Sequence, residues 1–487
     1  MNLVSYNRRE FQENQAMKNR QTGKELLAGI LCVMLTGCGG SASKEIAATA
    51  SASIQPAGAP GAAPGARREY TSNGAPGNAL EVSGKKAAYD RIAVTKIGDG
   101  TEESEVNADN AAISVKNGAQ AAISDAEIET NGTYAYGLGS VGSGTTVEIS
   151  GSTIFTSAPY SDGIRAFSGS SAAASKLEIT THGDYSPALH ADGEQSELTA
   201  DGGRYSAYGI LSPAVESSGS LTVSDAELSA IVSPAVIIDG PHDVTLVNCT
   251  VTGDHTRTAA DIHPSTYLTY QRGSNYVDIN EYQAVLFYQT SGDADGKSAS
   301  FTMNGGTLNC KYGAVFRAYS SVDLNLNDVV INPYDSNLLT ASQGAGSSGA
   351  NVNFTAENQQ LNGNFTISSG STMNLTLKDG TVFNGAINPN SSYGGEVYAD
   401  LEGDAQWTLT SDSYLSGLTC SAHAINLNGF TLMVNGEAYT AGTAMNGTKV
   451  AKQETTYTTP TPTPTPTIWT APETTAPAGE EGEEQTW

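Results

Sequence analysis

Residues 221–228 read LTVSDAEL and residues 244–251 read VTLVNCTV. The two segments share little identity, yet each places apolar or small side chains at the same four offsets: Leu221, Val223, Ala226 and Leu228, then Val244, Leu246, Cys249 and Val251. Alternation with a period of two on either side of a polar bend is typical of two short strands that meet at a corner. Because Cys249 occupies an apolar offset, we expect it to be a small buried residue.

The same pattern recurs along much of the chain. It begins again at positions 121, 147, 198, 301, 324, 375 and 425. Leu177 and Ile179 form a half-match whose second strand is missing. The matches that begin at 375 and 425 place Val382 and Phe430 on the inner side. Many steps are close to 23 residues, and segments such as SPAVIID and GAVFRAY supply a third strand. A unit this short, too short for a propeller blade or a sandwich, buries its apolar side only by stacking on its neighbours. The sequence therefore predicts an all-β fold, a single-stranded right-handed parallel β-helix with about 23 residues per coil.

Composition agrees with a fold built from strands and turns. Of 487 residues, 53 are glycine, whereas aromatic residues make up 7% and charged residues 15% of the chain. The formal net charge is −27, and an acidic surface repels nucleic acids and polyanionic substrates. We therefore expect no nucleic-acid partner.

The amino-terminal segment has the order of a secretory signal. Lys18, Arg20 and Lys24 precede the apolar run LLAGILCVML, which is too short to span a membrane and ends at LTGC, residues 35–38. This ending resembles the bacterial lipoprotein box, which implies that Cys38 becomes lipidated. MKNRQTGKELLAGILCVMLTGC is already a signal of ordinary length, so we expect translation to begin at Met17.

Four regions follow from these patterns. Residues 1–37 are predicted to be the signal peptide, 38–85 the lipidated cysteine and a flexible linker, 86–448 the β-helix, and 449–487 a Thr/Pro-rich acidic tail. Both terminal regions lack apolar periodicity, so we expect them to be disordered. The lipid would anchor the protein to the outside of a bacterial membrane, at the cell surface.

From about Ala111 to Val434 the repeat resembles the pectin-lyase-like β-helix superfamily, and in particular adhesin-like surface proteins of autotransporter-passenger character. The segment AQWTLTSDSYLSGLTCSAHAINLNGFTLMV, residues 405–434, is similar to the capping coils of such passengers. The resemblance implies that Trp407, Leu409, Leu415 and Leu418 fill that cap. It specifies the fold far better than the function.

The superfamily includes pectate lyases and polygalacturonases, but the chain lacks the adjacent Asp-Asp, Gly-His-Gly and Arg-Ile-Lys segments of the hydrolases. Asp162 beside Gly163 is typical of a turn, and His190 of a surface residue. Arg165 and Arg317, in RAFS and RAYS, are expected to be outward residues of one face that form salt bridges. We therefore expect no catalytic residues.

No metal site or cofactor is expected either. The segment Asp293-Ala-Asp295-Gly296 is half of a calcium loop, without the third oxygen ligand and the distal glutamate. Calcium is therefore a weak alternative.

The rhythm is interrupted at about residues 253–282, the most aromatic and least repetitive part of the middle. Tyrosine rings stack on pyranose faces while charged groups meet hydroxyls, so the segment is a candidate ligand-binding loop. The candidate residues are Arg257, His263, Tyr267, Tyr270, Arg272, Tyr276 and Tyr282. The alternative is a loop that covers the side of the solenoid.

A second aromatic set is spaced like the repeat. Tyr134, Tyr160, Tyr185 and Tyr205 are separated by 26, 25 and 20 residues, so we expect them to stack on successive coils. A structural role is favoured over ligand binding for this column.

These observations predict a non-catalytic, lipid-anchored surface protein that acts in adhesion and binds glycans or surface proteins of a host or a neighbouring cell. The main alternative is a polysaccharide lyase or glycoside hydrolase of the same superfamily. A structural surface spacer is the third.

Overall fold

The computed structural model describes residues 66–74, 76–255, 282–289, 297–343 and 349–447. Within them the chain is almost entirely β-structure, with one short helix, α1 (Glu102–Glu105). None of the helices in the described part is long and apolar enough to cross a membrane.

The largest sheet, sheet 1, has 22 strands in the described residues. One series of its strands is β3 (Lys86–Asp90), β6 (Gln120–Ser124), β9 (Thr146–Ser150), β12 (Ser171–Thr181), β14 (Glu197–Ala207), β16 (Ser220–Ser224), β19 (Asp243–Val247), β22 (Ala299–Asn304), β25 (Val322–Asn327), β28 (Asn351–Glu357), β31 (Thr372–Leu377), β33 (Glu396–Leu401), β36 (Gly417–Cys420) and β40 (Met445–Asn446). A second series is β1 (Arg68–Ser72), β4 (Ile92–Ile97), β7 (Glu127–Asn131), β10 (Thr153–Thr156), β17 (Glu227–Ala230), β20 (Thr250–Gly253), β23 (Thr307–Cys310) and β26 (Val330–Asn332). The long strands β12 and β14 pair with both series and join them.

Three smaller sheets complete the architecture of the described residues. Sheet 2 contains β2 (Leu80–Ser83), β5 (Ile113–Lys116), β8 (Leu138–Val141), β11 (Ile164–Phe167), β13 (Leu189–Asp192), β15 (Val215–Ser217), β18 (Val236–Asp239), β21 (Gln283–Tyr288), β24 (Ala314–Ala318), β27 (Asn337–Ala341) and β30 (Asn364–Ile367). Sheet 3 contains β29 (Gln360–Asn362), β32 (Val382–Gly385), β34 (Gln406–Leu409) and β37 (Ile425–Asn426), and sheet 4 contains β35 (Ser413–Leu415), β38 (Leu432–Val434) and β39 (Glu437–Ala438).

The register of these sheets shows how successive repeats are placed relative to one another. Leu221 pairs with Val244, Val244 with Phe301 and Phe301 with Leu324, all between parallel strands. All four of these side chains are fully buried. Equivalent offsets of the sequence pattern therefore lie directly over one another, in an arrangement of parallel strands that is compatible with a β-helix.

Aromatic residues form a chain through the interior of the carboxyl-terminal half. Neighbouring ring centroids lie 5.2 to 6.3 Å apart along Phe287, Phe301, Phe316, Phe354, Phe365, Phe383 and Trp407. The Trp407 indole also donates a hydrogen bond to the Gly385 carbonyl, at 3.0 Å. Large rings therefore fill the centre of this half, and Trp407, Leu409, Leu415 and Leu418 are all buried as predicted.

Small hydroxyl side chains stabilise the turns that precede the sheet 2 strands β11, β13 and β15. The Ser161 amide donates to Ser186 Oγ at 2.9 Å, and the Ser186 amide donates to Ser212 Oγ at 3.0 Å. All three serines are fully buried. Each hydroxyl satisfies a backbone group that the turn would otherwise leave unpaired, which explains why YSDG, YSPA and LSPA recur at this point of the chain.

Three details differ from the predicted pattern. Leu177 and Ile179 form the second half of their repeat rather than the first, because Ala172 and Ala174 supply the first half and three consecutive alanines hide the alternation. Phe383 rather than Val382 is buried in β32, and Phe430 is 38% exposed. Strands β1 and β2 also lie before residue 86, so the β-structure extends into the predicted linker.

Cys249 is fully buried, as predicted from its apolar offset. Its thiol lies 3.4 Å from the Val223 carbonyl oxygen. Cys249, Cys310 and Cys420 are all buried free thiols, and burial raises the pKa of Cys310 to about 11. These thiols act as small apolar side chains.

Candidate functional site

Most of the predicted site lies outside the described residues. This is the case for Cys38, Arg257, His263, Tyr267, Tyr270, Arg272 and Tyr276, and for the half calcium loop with Asp293 and Asp295. Of the predicted ligand-binding residues, Tyr282 alone falls within the described part of the chain.

Tyr282 belongs to a line of aromatic side chains that the sequence analysis did not find. Its ring centroid lies 5.0 Å from that of Tyr312, and the Tyr312 ring stacks on Tyr334 at 4.8 Å with an interplanar angle of 24°. On the other side, the Tyr282 ring contacts His255 at 5.2 Å. We refer to Tyr282, Tyr312 and Tyr334 as the tyrosine row.

The tyrosine row becomes more exposed along its length. Tyr312 is 43% exposed and Tyr334 is 58% exposed. Both rings follow a strand of the second series by two residues, Tyr312 after β23 and Tyr334 after β26. The next equivalent connection, from β29 to β30, is Gly363 alone, which has no side chain to cover the Tyr334 ring.

Two amide side chains lie on β23 and β26, the strands that precede Tyr312 and Tyr334. Asn332 Nδ2 donates to Asn309 Oδ1 at 2.9 Å, and Asn309 Nδ2 donates to Thr252 Oγ1 at 3.2 Å. Asn309 and Asn332 are paired residues of β23 and β26, and they precede Tyr312 and Tyr334 by three and two residues. Exposed rings that follow strands with amides that both donate and accept are suited to the face and the hydroxyls of a sugar.

A second feature is a buried ionic cluster on sheet 2, formed by Glu105, Asp162, Arg165, His190 and Asp192. Arg165 is 9% exposed, and its Nη1 donates to Glu105 Oε1 at 3.0 Å while its Nε donates to Asp192 Oδ2 at 3.0 Å. His190 Nδ1 lies 2.8 Å from Asp162 Oδ2, in a hydrogen bond between two buried side chains. The Asp192 side chain is 31% exposed, whereas those of Glu105, Asp162, Arg165 and His190 have little contact with water, so that opposite charges offset the cost of their burial.

Two aromatic rings pack against Arg165 of the ionic cluster. The Arg165 guanidinium lies 5.1 Å from the Tyr136 ring centroid and 5.3 Å from that of Phe167, and it donates to the Tyr136 hydroxyl at 2.6 Å. Ala108 and Ala111, which follow α1, pack against the same two rings. Glu105 and these alanines thus hold the α1 segment against sheet 2.

Protonation in the cluster follows from these contacts. Burial works against the charged form of His190, but the Glu216 carboxylate, the hydrogen bond to Asp162 and the Asp192 carboxylate outweigh it, so the pKa of His190 is raised. Burial also opposes ionisation of Asp192, but Arg165 and His190 lower its pKa well below the usual value. Burial raises the pKa of the Tyr136 phenol far above its usual value, so this hydroxyl keeps its proton.

One expectation about this cluster was wrong, and two agree with the structure. His190 is 8% exposed and hydrogen-bonded to Asp162, rather than a surface residue. Asp162 does lie in the connection before β11, where it is 2% exposed. Arg165 does form salt bridges, and it lies in one column of paired sheet 2 positions with His190, Glu216 and Arg317. Arg165, His190 and Glu216 are spaced by 25 and 26 residues, about one unit, but this spacing does not show which side chains meet.

The predicted tyrosine column is confirmed for three of its four members. Tyr134 stacks on Tyr160 at 4.9 Å and Tyr160 stacks on Tyr185 at 5.1 Å, with interplanar angles of 10° and 5°. Tyr205 is instead a fully buried core residue in β14, and its hydroxyl donates to the Gly202 carbonyl. Tyr134 and Tyr160 are 6% and 9% exposed, so this column serves packing.

No group of three or more His, Cys, Asp or Glu side chains in the described residues is arranged to hold a metal ion. No family model, no curated protein and no solved structure matches this chain.

Proposed function

We propose that this protein is a lipid-anchored bacterial surface protein whose binding activity is adhesion to carbohydrate or to another cell surface. In this proposal the parallel sheets form one right-handed β-helix with about 23 residues per coil, of the pectin-lyase-like, adhesin type. Cys38 would carry the lipid, and the segment that follows it would hold the β-helix away from the membrane.

The observation that carries the proposal is the tyrosine row, together with the amides of Asn309 and Asn332. A sugar unit stacked on Tyr334 would place C–H groups on the ring and hydroxyls within reach of amide donors and acceptors. Tyr312 and Tyr334 are 43% and 58% exposed, which suits a long polymer or a surface more than a single enclosed small molecule. Tyr282 belongs both to the tyrosine row and to residues 253–282, the segment predicted from the sequence to be a ligand-binding loop.

A glycan array probed with the full chain tests this proposal. Replacing both exposed rings, Tyr312→Ala with Tyr334→Ala, should abolish or strongly reduce the signal of the bound glycans. The matched control is Phe430→Ala, which removes another exposed ring, far from the row in sequence. Binding that is equal in the double variant and the wild type would refute the role of the tyrosine row.

The same preparation separates binding from catalysis. Bound polysaccharides should be recovered without new reducing ends or unsaturated products after prolonged incubation. Product formation that is lost in His190→Gln but retained in Phe430→Ala would instead support the polysaccharide-degrading alternative.

A further inference from the structure

A second exposed aromatic set lies on the outer face of sheet 1, where β10, β12 and β14 are neighbours, away from the tyrosine row in sequence. Phe155 lies in β10, His182 directly follows β12 and Tyr208 directly follows β14. The Phe155 and His182 ring centroids are 5.1 Å apart, and those of His182 and Tyr208 are 4.7 Å apart. Phe155 is 40% exposed and Tyr208 is 41% exposed. Three neighbouring strands therefore present one aromatic platform to solvent.

A shallow hollow of about 380 Å³ lies on the same strands. Its lining includes Lys176, Glu178, Arg204 and Glu227. Arg204 Nη2 and Glu227 Oε2 form an ion pair at 2.8 Å, and both side chains are more than half exposed. The hollow therefore offers two cationic and two anionic side chains, with no net charge.

The bend that lines this hollow requires glycine. Gly203 is part of the lining and has a φ of +102°, in the left-handed region that favours glycine. A Cβ atom at this position would lie 2.4 Å from the Leu177 carbonyl oxygen. A side chain at residue 203 is therefore excluded, because it would collide with the backbone of the neighbouring strand.

The strand register connects the hollow to the aromatic platform. Thr153 pairs with Glu178 and Glu178 with Arg204, and two residues further along the same strands Phe155 pairs with Thr180 and Thr180 with Ser206. Residues two apart in a strand share a face, so these positions form one continuous strip. From Glu178 to His182 the strip extends over four residues, or about 13 Å. Thr180 and Ser206 place small hydroxyl side chains between its two ends.

We infer that this strip is a second saccharide-binding site, independent of the tyrosine row, whose ligand is a neutral glycan chain. The platform of Phe155, His182 and Tyr208 supplies ring surface for a pyranose, and the balanced charges of the hollow supply both donors and acceptors for hydroxyl groups. A polyanionic glycan would meet the field of a chain with net charge −27, while the local charge of the strip gives it no compensating attraction. The ligand class rests on the proposed carbohydrate function, but the strip shares no residue with the tyrosine row.

Calorimetric titration of the full chain with soluble neutral oligosaccharides tests the inference. The probes are cello-, xylo-, manno- and malto-oligosaccharides, with oligogalacturonate at low and high salt as the acidic comparison. For the neutral probe that binds, Phe155→Ala with Tyr208→Ala should weaken the affinity about tenfold or more, since two ring contacts are lost. Phe430→Ala and the Tyr312→Ala, Tyr334→Ala variant should retain binding at the strip. Unchanged thermal unfolding midpoints establish that the exposed substitutions leave the fold intact.

The outcomes separate this inference from the proposed function. Neutral oligosaccharide binding that is lost in the tyrosine-row variant and unchanged in the Phe155, Tyr208 variant overturns the strip and supports the row. The reverse result supports the strip, and the tyrosine row is then judged by the glycan array alone. Binding of oligogalacturonate alone, weakened by salt, overturns the neutral ligand class, and failure of every probe to bind overturns the strip.

Discussion

His190 Nδ1 and Asp162 Oδ2 lie 2.8 Å apart although 28 residues separate them in sequence. Asp162 belongs to the turn before β11, whereas His190 lies in β13, the next strand of sheet 2. Arg165, two positions into β11, completes the cluster by bridging Glu105 and Asp192. Parallel stacking thus converts residues one repeat apart into hydrogen-bonded neighbours.

Removing the central cation of this cluster should strongly destabilise the protein. Arg165→Met keeps most of the side-chain volume but leaves Glu105, Asp162 and Asp192 without their shared partner, which we expect to cost about 3–5 kcal/mol of unfolding free energy. Urea unfolding followed by circular dichroism measures the loss. Arg204→Met, which breaks a pair exposed to solvent, is the control and should have little effect. Equal stability of the two variants would contradict the assigned role of the cluster.

The raised pKa of His190 predicts that stability declines toward alkaline pH. A histidine whose folded pKa exceeds its unfolded value stabilises the fold fully below about pH 6.5, and this contribution is lost as the pH rises through the folded pKa. Burial lowers the pKa of His255 to about 4, so His255 changes the unfolding free energy only below about pH 6.5 and does not contribute to the alkaline decline.

The measurement is the unfolding free energy as a function of pH above about 6.5. The decline should be smaller in His190→Gln than in the wild type, and it should persist in the exposed His423→Gln control. Parallel pH profiles for the wild type and His190→Gln would argue against a charged His190.

The aromatic chain of the interior predicts a large difference between two phenylalanines. Phe301 is fully buried between Phe287 and Phe316, so Phe301→Ala should cost about 3–5 kcal/mol through lost burial and an interior cavity. Phe430, which the sequence pattern also placed inside, is 38% exposed and should tolerate the same change far better. Chemical denaturation of the two variants checks this order.

The lipidation that we propose at Cys38 predicts a change of location on substitution. Cys38→Ala should move the exported protein from the membrane fraction to the soluble fraction, since no acyl chains remain to insert into the bilayer. Cys249→Ala is the control, because this thiol is buried at the bend between β19 and β20 and should not affect fractionation. Membrane retention of the Cys38→Ala protein would remove the lipid anchor from the proposal.

The sequence by itself determined the periodic interior. Inward positions such as Leu221 and Val244 must be apolar in every repeat, because each unit buries its side chains only against the next one, and this leaves a signal that can be read without coordinates. The signal fails where small residues blur the alternation, as at Ala172 and Ala174, or where the end of the stack changes the pattern, as at Phe430.

Only the tertiary structure decided which outward residues meet. The outer side of a strand accepts almost any polar side chain, so Asp162, His190, Tyr334 and Phe155 carry no periodic mark that distinguishes a partner from a solvated neighbour. Their contacts depend on the register between strands and on which rings a neighbouring connection leaves uncovered. For that reason the ionic cluster, the tyrosine row beyond Tyr282 and the strip around Tyr208 emerged from distances and burial and not from the repeat.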